Sequence, residues 1–126
     1  MAKDELILSS LPKTWIFDLD GTVVKHNGYL KDGFDTILEK SVKFIRCIPI
    51  EDRIIFITSR TEKYRNQTID MLKNAGIRFD EIIFGMPVGE RILVNDCKPS
   101  GLKMAYAVNL ERDAGINIVT RVDNTL

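Results

Sequence analysis

The sequence predicts an α/β fold built on a mainly parallel sheet. Short apolar runs rich in aromatic and β-branched residues recur along the chain, as in strands buried on both faces. Two stretches with apolar residues at helical spacing lie among them. Strands alternating with helices are the pattern of a parallel sheet covered by helices. The chain has 126 residues, a length that fits one compact domain. No repeat, low-complexity segment or linker interrupts it, so a single domain over 1–126 is expected.

The first strand is "TWIFDL", 14–19. "GTVVKHNGYLKDG" follows, with three glycines and an Asn-Gly pair, and predicts a tight turn and a small hairpin-like excursion. Phe34, Ile37, Leu38, Val42 and Ile45 recur at helical spacing, so an amphipathic helix is expected from about 34 to 47, ended by Pro49. This stripe is core packing. "RIIFIT", 53–58, is the second strand. "EKYRNQTIDMLKNAG", 62–76, is the second helix, with Thr61 as candidate N-cap and Gly76 where a C-terminal glycine belongs. "EIIFG", 81–85, and "RILVND", 91–96, are the third and fourth strands. "LKMAYAVNL" reads as a helical turn near 102–104 and a fifth strand over 105–110. "INIVTRV", 116–122, is a further candidate strand.

Composition narrows the function classes. Lys+Arg and Asp+Glu are both 18, for a net charge of zero. Nucleic-acid and membrane-surface binders usually carry a basic excess, so neither partner is expected. No apolar run approaches the roughly 20 residues of a membrane span. The N-terminal "MAKDELILSS" has charge but no apolar signal core. The two cysteines, Cys47 and Cys97, match neither a disulfide framework nor a zinc site. A cytoplasmic protein is the expectation, with Cys97 as a small buried thiol.

In such sheets ligands gather beyond the carboxyl ends of the strands. The first strand delivers Asp18 and Asp20 there, the second Thr58, Ser59 and Arg60, the fourth Asn95 and Asp96, with Lys98 close behind. Asp18 and Asp20 share one side of their strand, because side chains alternate. Two like charges in an apolar run are costly unless something pairs with them. Three carboxylates suit Mg²⁺, which takes oxygen ligands and keeps waters beside substrate phosphate. An aspartate can attack phosphorus and form an aspartyl-phosphate. A second carboxylate nearby can protonate the leaving oxygen and then activate water. A hydroxyl and a lysine would hold the transferring phosphoryl group. Gly21 lets backbone approach a phosphate closely.

"FDLDGT" resembles the first motif, D-x-D-G-T, of the haloacid dehalogenase (HAD) superfamily phosphatases. "IIFITSR" resembles their second motif, and "ILVNDCK" their fourth. The resemblance runs over roughly residues 14–110. It implies a three-layer sandwich around a five-stranded sheet of order 5-4-1-2-3. It implies Asp18 as nucleophile and Asp20 as acid/base. Gly21, Thr58, Ser59 and Lys98 would bind phosphate. Asp18, Asp96 and the backbone carbonyl of Asp20 would hold Mg²⁺.

Two departures stand out. Small relatives often carry the third-motif lysine in a "G-K-P" turn, and this chain has "GMP", with Met86 there. Lys98 is the candidate substitute and Arg91 the reserve. Asn95 stands where many members have a second acid. Neither cap insertion of the family is present in any size. The link "GMPVGER" must cross about three strand spacings of ~4.8 Å and return along a strand, yet it reaches at most about 24 Å. A capless site is open. It takes a large substrate, or a neighbouring subunit of a homo-oligomer covers it.

The function expected is a Mg²⁺-dependent phosphatase acting on a phosphorylated sugar or other small polar metabolite. The alternatives are a non-catalytic HAD-fold binding module and a nucleic-acid end phosphatase. A receiver-like signalling domain fits less well, because the second strand ends in Thr-Ser-Arg rather than an aspartate. His26 reads as a surface residue of the glycine-flanked loop. Arg60 either grips substrate or pairs with a surface acid.

Overall fold

The computed structural model describes residues 5–126. In chain order the elements are β1 (Glu5–Leu8), β2 (Thr14–Phe17), α1 (Gly28–Lys31), α2 (Glu39–Arg46), β3 (Arg53–Ile57), a 3₁₀ turn (Glu62–Tyr64), α3 (Arg65–Asn74), β4 (Glu81–Ile83) and β5 (Val119–Val122). They fall into two compact units that are discontinuous in sequence. The larger is Pro12–Pro87 with Leu110–Asn117. The smaller takes in Val88–Asn109, Ile118–Leu126 and the described residues up to Leu11. No linker composition marks the boundary because the chain crosses it repeatedly.

The larger unit is built on a three-stranded parallel sheet of order β2-β3-β4. Thr14 pairs with Arg53 and Phe17 with Phe56, while Ile55 pairs with Glu81 and Ile57 with Ile83. Ile54, Phe56, Phe17 and Ile82 bury their side chains, and Val42, Ile45 and Leu72 come in from the helices. The i, i+3 spacing of Val42 and Ile45 places both on the inner face of α2. Pro49 cannot continue that helix. Gly76 closes α3 with φ +71, the left-handed conformation glycine adopts without a Cβ penalty.

Aromatic rings fill the space between β2 and α2. Trp15 meets Phe44 edge-on at 5.5 Å between centroids, and Phe17 meets the same ring at 6.5 Å. Asp52, buried just before β3, accepts from the Lys13 N–H at 3.0 Å and from Trp15 Nε1 at 2.9 Å. A buried carboxylate is tolerable because both its oxygens are engaged.

The excursion after β2 is a pinned loop. Val24 bridges Ile37 in antiparallel fashion. The Lys25 N–H donates to Thr36 O at 2.9 Å and the Leu38 N–H to Val23 O at 2.9 Å. These bonds hold 36–38 extended, so α2 begins at Glu39 and not near Phe34, whose ring is exposed. Asn27 takes the left-handed φ of 55 that the Asn-Gly pair invites.

The five-stranded sheet of order 5-4-1-2-3 is not formed. Residues 91–96 and 105–110 have no strand structure, and 91–96 are exposed throughout. Of 116–122 only Val119–Val122 is a strand, and it pairs in parallel with β1 in a separate two-stranded sheet, Glu5 opposite Val119. Chain length supplies the reason. The Gly85 N–H donates to Arg60 O at 2.7 Å and the Met86 N–H to Thr58 O at 3.0 Å. These bonds tie the start of the "GMPVGER" link to the end of β3. From Pro87 to Arg91 the chain reaches about 14 Å at most. A parallel strand outside β2 lies about 10 Å sideways and begins about 16 Å back.

Asp80, ahead of β4, accepts from the Ile54 N–H at 2.8 Å and from Arg53 Nη1 at 3.0 Å. The Ile54 bond first, then Arg53, holds its carboxyl below the usual range against the opposing pull of desolvation. A carboxyl lowered by folding adds stability above its unfolded pKa of about 3.9, and loses it as pH falls through the folded value. Asp80→Ala therefore lowers the urea midpoint at pH 7, and its gap from wild type closes below about pH 4. A gap independent of pH would show that the ionised carboxylate contributes nothing.

Candidate active site

The carboxyl ends of β2 and β3 carry the candidate residues of the larger unit. Just past β2 the chain wraps around the Leu19 carbonyl, which accepts the N–H groups of Thr22, Val23 and Val24 at 3.2, 2.9 and 3.2 Å. Gly21 makes this turn possible with φ +86, and a Cβ there would meet Arg112 Cγ at 3.2 Å. The turn is anchored from outside by the Asp113 N–H, which donates to Gly21 O at 2.9 Å. Ser41 Oγ donates to Thr22 O and accepts the Ile116 N–H at 2.9 Å.

Asp18 is half-buried at the mouth of β2, and its Oδ2 accepts from Thr22 Oγ1 at 3.1 Å. Thr58 follows β3 directly. It is buried, and its Oγ1 accepts the Arg60 N–H at 3.1 Å. Extending the pairing of Phe17 with Phe56 sets Asp18 and Thr58 one strand and about one residue apart, roughly 6 Å between backbones. Ser59 Oγ donates to Pro87 O at 3.4 Å, which leaves it holding the link after β4.

The dominant charged group is Arg60, whose side chain is 0% exposed. Its Nε donates to Asp20 Oδ2 at 3.0 Å and its Nη2 to Asp20 Oδ1 at 3.0 Å. On its other side Nη1 reaches Asp35 Oδ2 at 3.1 Å and Nη2 reaches Asp35 Oδ1 at 2.6 Å. Nη1 also donates to Thr68 Oγ1 of α3 at 3.0 Å. The Tyr29 ring lies 3.9 Å from the guanidinium carbon, a cation–π distance. Burial alone would push the guanidinium down, but hydrogen bonds and charge from Asp20 and Asp35 hold it well above its ordinary value. Tyr29 is raised, first by desolvation and then by the negative charge of Asp20.

Arg60 thus neither faces solvent for a substrate nor pairs with a surface acid. It is the buried clamp that orients Asp20. Each Asp20 oxygen retains a second lone pair, so the clamp fixes the carboxylate without using up its acceptor capacity. The spacing of "TSR" shows where Arg60 starts. Asp35 and Tyr29, which complete its cage, lie in the excursion and carry no motif. His26 was expected at the surface, yet its Nδ1 is buried with no hydrogen-bond partner. It packs beside Gly21, 3.7 Å from where a Cβ would stand, and its backbone N–H donates to Asp113 Oδ1 at 2.7 Å. Arg112, whose stem lies on the Gly21 turn, was not anticipated.

Asp96 and Lys98 belong to the smaller unit. Both are exposed. Asn95 Nδ2 donates to Asp96 O at 3.1 Å. Lys98 sits in a turn closed by its own N–H to Leu102 O at 3.0 Å. Cys97, expected to be buried, is exposed. A cavity of about 290 Å³ in this unit, lined by Ser100, Leu102, Lys103, Tyr106 and Thr125, contains none of the expected site residues.

Mg²⁺ needs clustered oxygen donors. Among the described residues no three His, Cys, Asp or Glu are grouped to hold a metal ion. The larger unit supplies two of the three expected ligands, Asp18 and the Asp20 backbone carbonyl, and Asp96 lies in the smaller unit. Comparison with protein families, curated proteins and solved structures returns no match to this chain.

Removing Arg60 would strand Asp20 and Asp35, whose side chains are 14% and 3% exposed. Breaking a buried pair from one side typically costs about 3–5 kcal/mol. Arg60→Ala is expected to destabilise by that order in urea unfolding. Arg60→Lys keeps the charge but loses the fork that serves two carboxylates, and should fall between. A loss below about 1 kcal/mol for the alanine variant would mean that the clamp contributes no more than a surface pair.

Proposed function

We propose that the chain is a phosphoric monoester hydrolase that works through an aspartyl-phosphate on Asp18. The observation that carries this reading is the pairing of two elements at one sheet edge. Asp18 and the tight Gly21 turn end β2, and the buried Thr58 ends the neighbouring β3. An Asp18 oxygen attacks phosphorus as the bond to the leaving oxygen breaks. Asp20, carrying a proton taken from solvent on a lone pair that Arg60 leaves free, gives it to the leaving oxygen and then accepts one from the water that cleaves the acyl-phosphate. Thr58 Oγ1 already accepts a backbone bond, so toward a phosphoryl oxygen its hydroxyl would act as the donor. The Arg112 stem lies against the Gly21 turn. A phosphorylated sugar or similar small polar metabolite is the substrate class, in keeping with the neutral net charge.

A second reading is a non-catalytic module that binds an anion at the same edge. The observation that favours it is the engagement of both Asp20 oxygens with Arg60, together with the absence of a metal-ligand group among the described residues.

Phosphate release from a panel of sugar phosphates and an aryl phosphate, with and without Mg²⁺, separates the two. Turnover by the wild type and a loss of at least about 10³-fold in Asp18→Asn is the expected result. No release by the wild type from any panel member, at any Mg²⁺ concentration, would move the reading to the binding module.

A further inference from the structure

Residues 110–117 form neither helix nor strand, yet they strap down the turn that follows β2. The Asp113 N–H donates to Gly21 O at 2.9 Å. Asp113 Oδ1 accepts the His26 N–H at 2.7 Å, across 87 positions of sequence. The Ile116 N–H donates to Ser41 Oγ at 2.9 Å, and Ser41 Oγ donates in turn to Thr22 O. Gly21, Thr22 and His26 are thus held by a segment with no regular structure of its own.

Two residues in the left-handed region shape the strap. Gly115 takes φ +86, and a Cβ there would stand 3.0 Å from Lys40 Cβ on α2. Glycine lets the strap lie that close. Asp113 has a side chain and still takes φ 65. Such a conformation persists where the surroundings over-determine it, and residues held this way cluster at functional sites. The surroundings here are the two bonds to one turn, backbone to Gly21 and carboxylate to His26.

That turn carries the group that orients Asp18. Thr22, between the two gripped residues, donates its hydroxyl to Asp18 Oδ2 at 3.1 Å. A shift of the turn therefore moves the Asp18 carboxylate. Thr58 ends the neighbouring β3 and bonds to the Arg60 N–H, whereas the strap's bonds run to Gly21, His26 and Ser41.

We propose that Asp113 is a positioning residue for Asp18, spanning Gly21 and His26 so that Thr22 holds the carboxylate aimed at phosphorus. Its effect on turnover rests on the phosphatase reading, whereas its hold on the Asp18 carboxylate does not. Asp113 acts through Thr22 and exchanges no proton with substrate. A misplacement of about 1 Å at the attacking group can cost about 10²-fold in rate. Thr58 holds the phosphoryl group from a different strand, so the loss falls on kcat rather than on KM.

Three variants separate the side chain from the backbone. Asp113→Asn keeps an oxygen for the His26 N–H and tolerates the left-handed conformation. Asp113→Gly keeps that conformation and the N–H to Gly21 but loses the oxygen. Asp113→Ala loses the oxygen and strains the backbone. With an aryl phosphate, kcat is expected to fall about 10²-fold in the glycine and alanine variants, with KM within about threefold of wild type. The asparagine variant should recover to within about threefold in kcat. The readout that needs no turnover is the carboxyl carbon NMR resonance of Asp18, identified by its loss in Asp18→Asn. It should move in the glycine variant and return in the asparagine variant, with far-UV circular dichroism unchanged in both. A glycine variant with wild-type kcat overturns the proposal, as does an unmoved Asp18 resonance or an asparagine variant no better than the glycine one. A wild type that releases no phosphate counts against the phosphatase reading, and the Asp18 resonance then decides the positioning by itself.

Discussion

One guanidinium organises the larger unit. Arg60 leaves the end of β3 and meets Asp20 beyond β2, Asp35 and Tyr29 in the excursion, and Thr68 on α3. Four separate pieces of chain converge on a single planar group. Desolvating it is costly, and the cost is recovered only because each fork is filled with near-ideal geometry. Such a cluster adds little net stability over a well-packed apolar core. It does admit one arrangement of the excursion against the sheet, since any other strands a buried charge. The position of Asp20, and with it the chemistry at the strand mouth, follows from this constraint.

The hydroxyls and glycines around the clamp act as backbone devices. Thr58 receives the Arg60 amide, Ser41 links the Thr22 carbonyl to the Ile116 amide, and Gly21 turns the chain at φ +86, where a Cβ would crowd the Arg112 stem. Residues that read as phosphate binders in the sequence thus also carry local folding duties. The segment 110–117 returns to pack on the first turn through Asp113, although it lies far from that turn in sequence.

What the sequence made legible was local. The apolar runs read at 14–19 and 53–58, which hold the strands 14–17 and 53–57, the helix closed by Gly76 and the Asn-Gly turn have signals within a few residues of themselves. Partner choice was less legible. "RILVN" has the composition of an interior strand, and composition cannot say which edge receives it. Its fate depends on a short link whose first residues are tied to β3. The stripe from Phe34 to Val42 has helical spacing, but the bridge between Val24 and Ile37 claims its beginning. Arg60 was ambiguous because its second acid, Asp35, sits in a loop with no periodic pattern. The buried nitrogen of His26 had no signal at all.

Asp52 has a consequence for how the molecule can be watched. It grips the indole of Trp15, the chain's one tryptophan, whose ring also lies against Phe44. All three residues belong to the larger unit. Intrinsic tryptophan emission is therefore a built-in probe of the larger unit, responsive to loosening of β2 from α2. Fluorescence and amide exchange, followed side by side, would resolve the melting of one unit from that of the other without any added label.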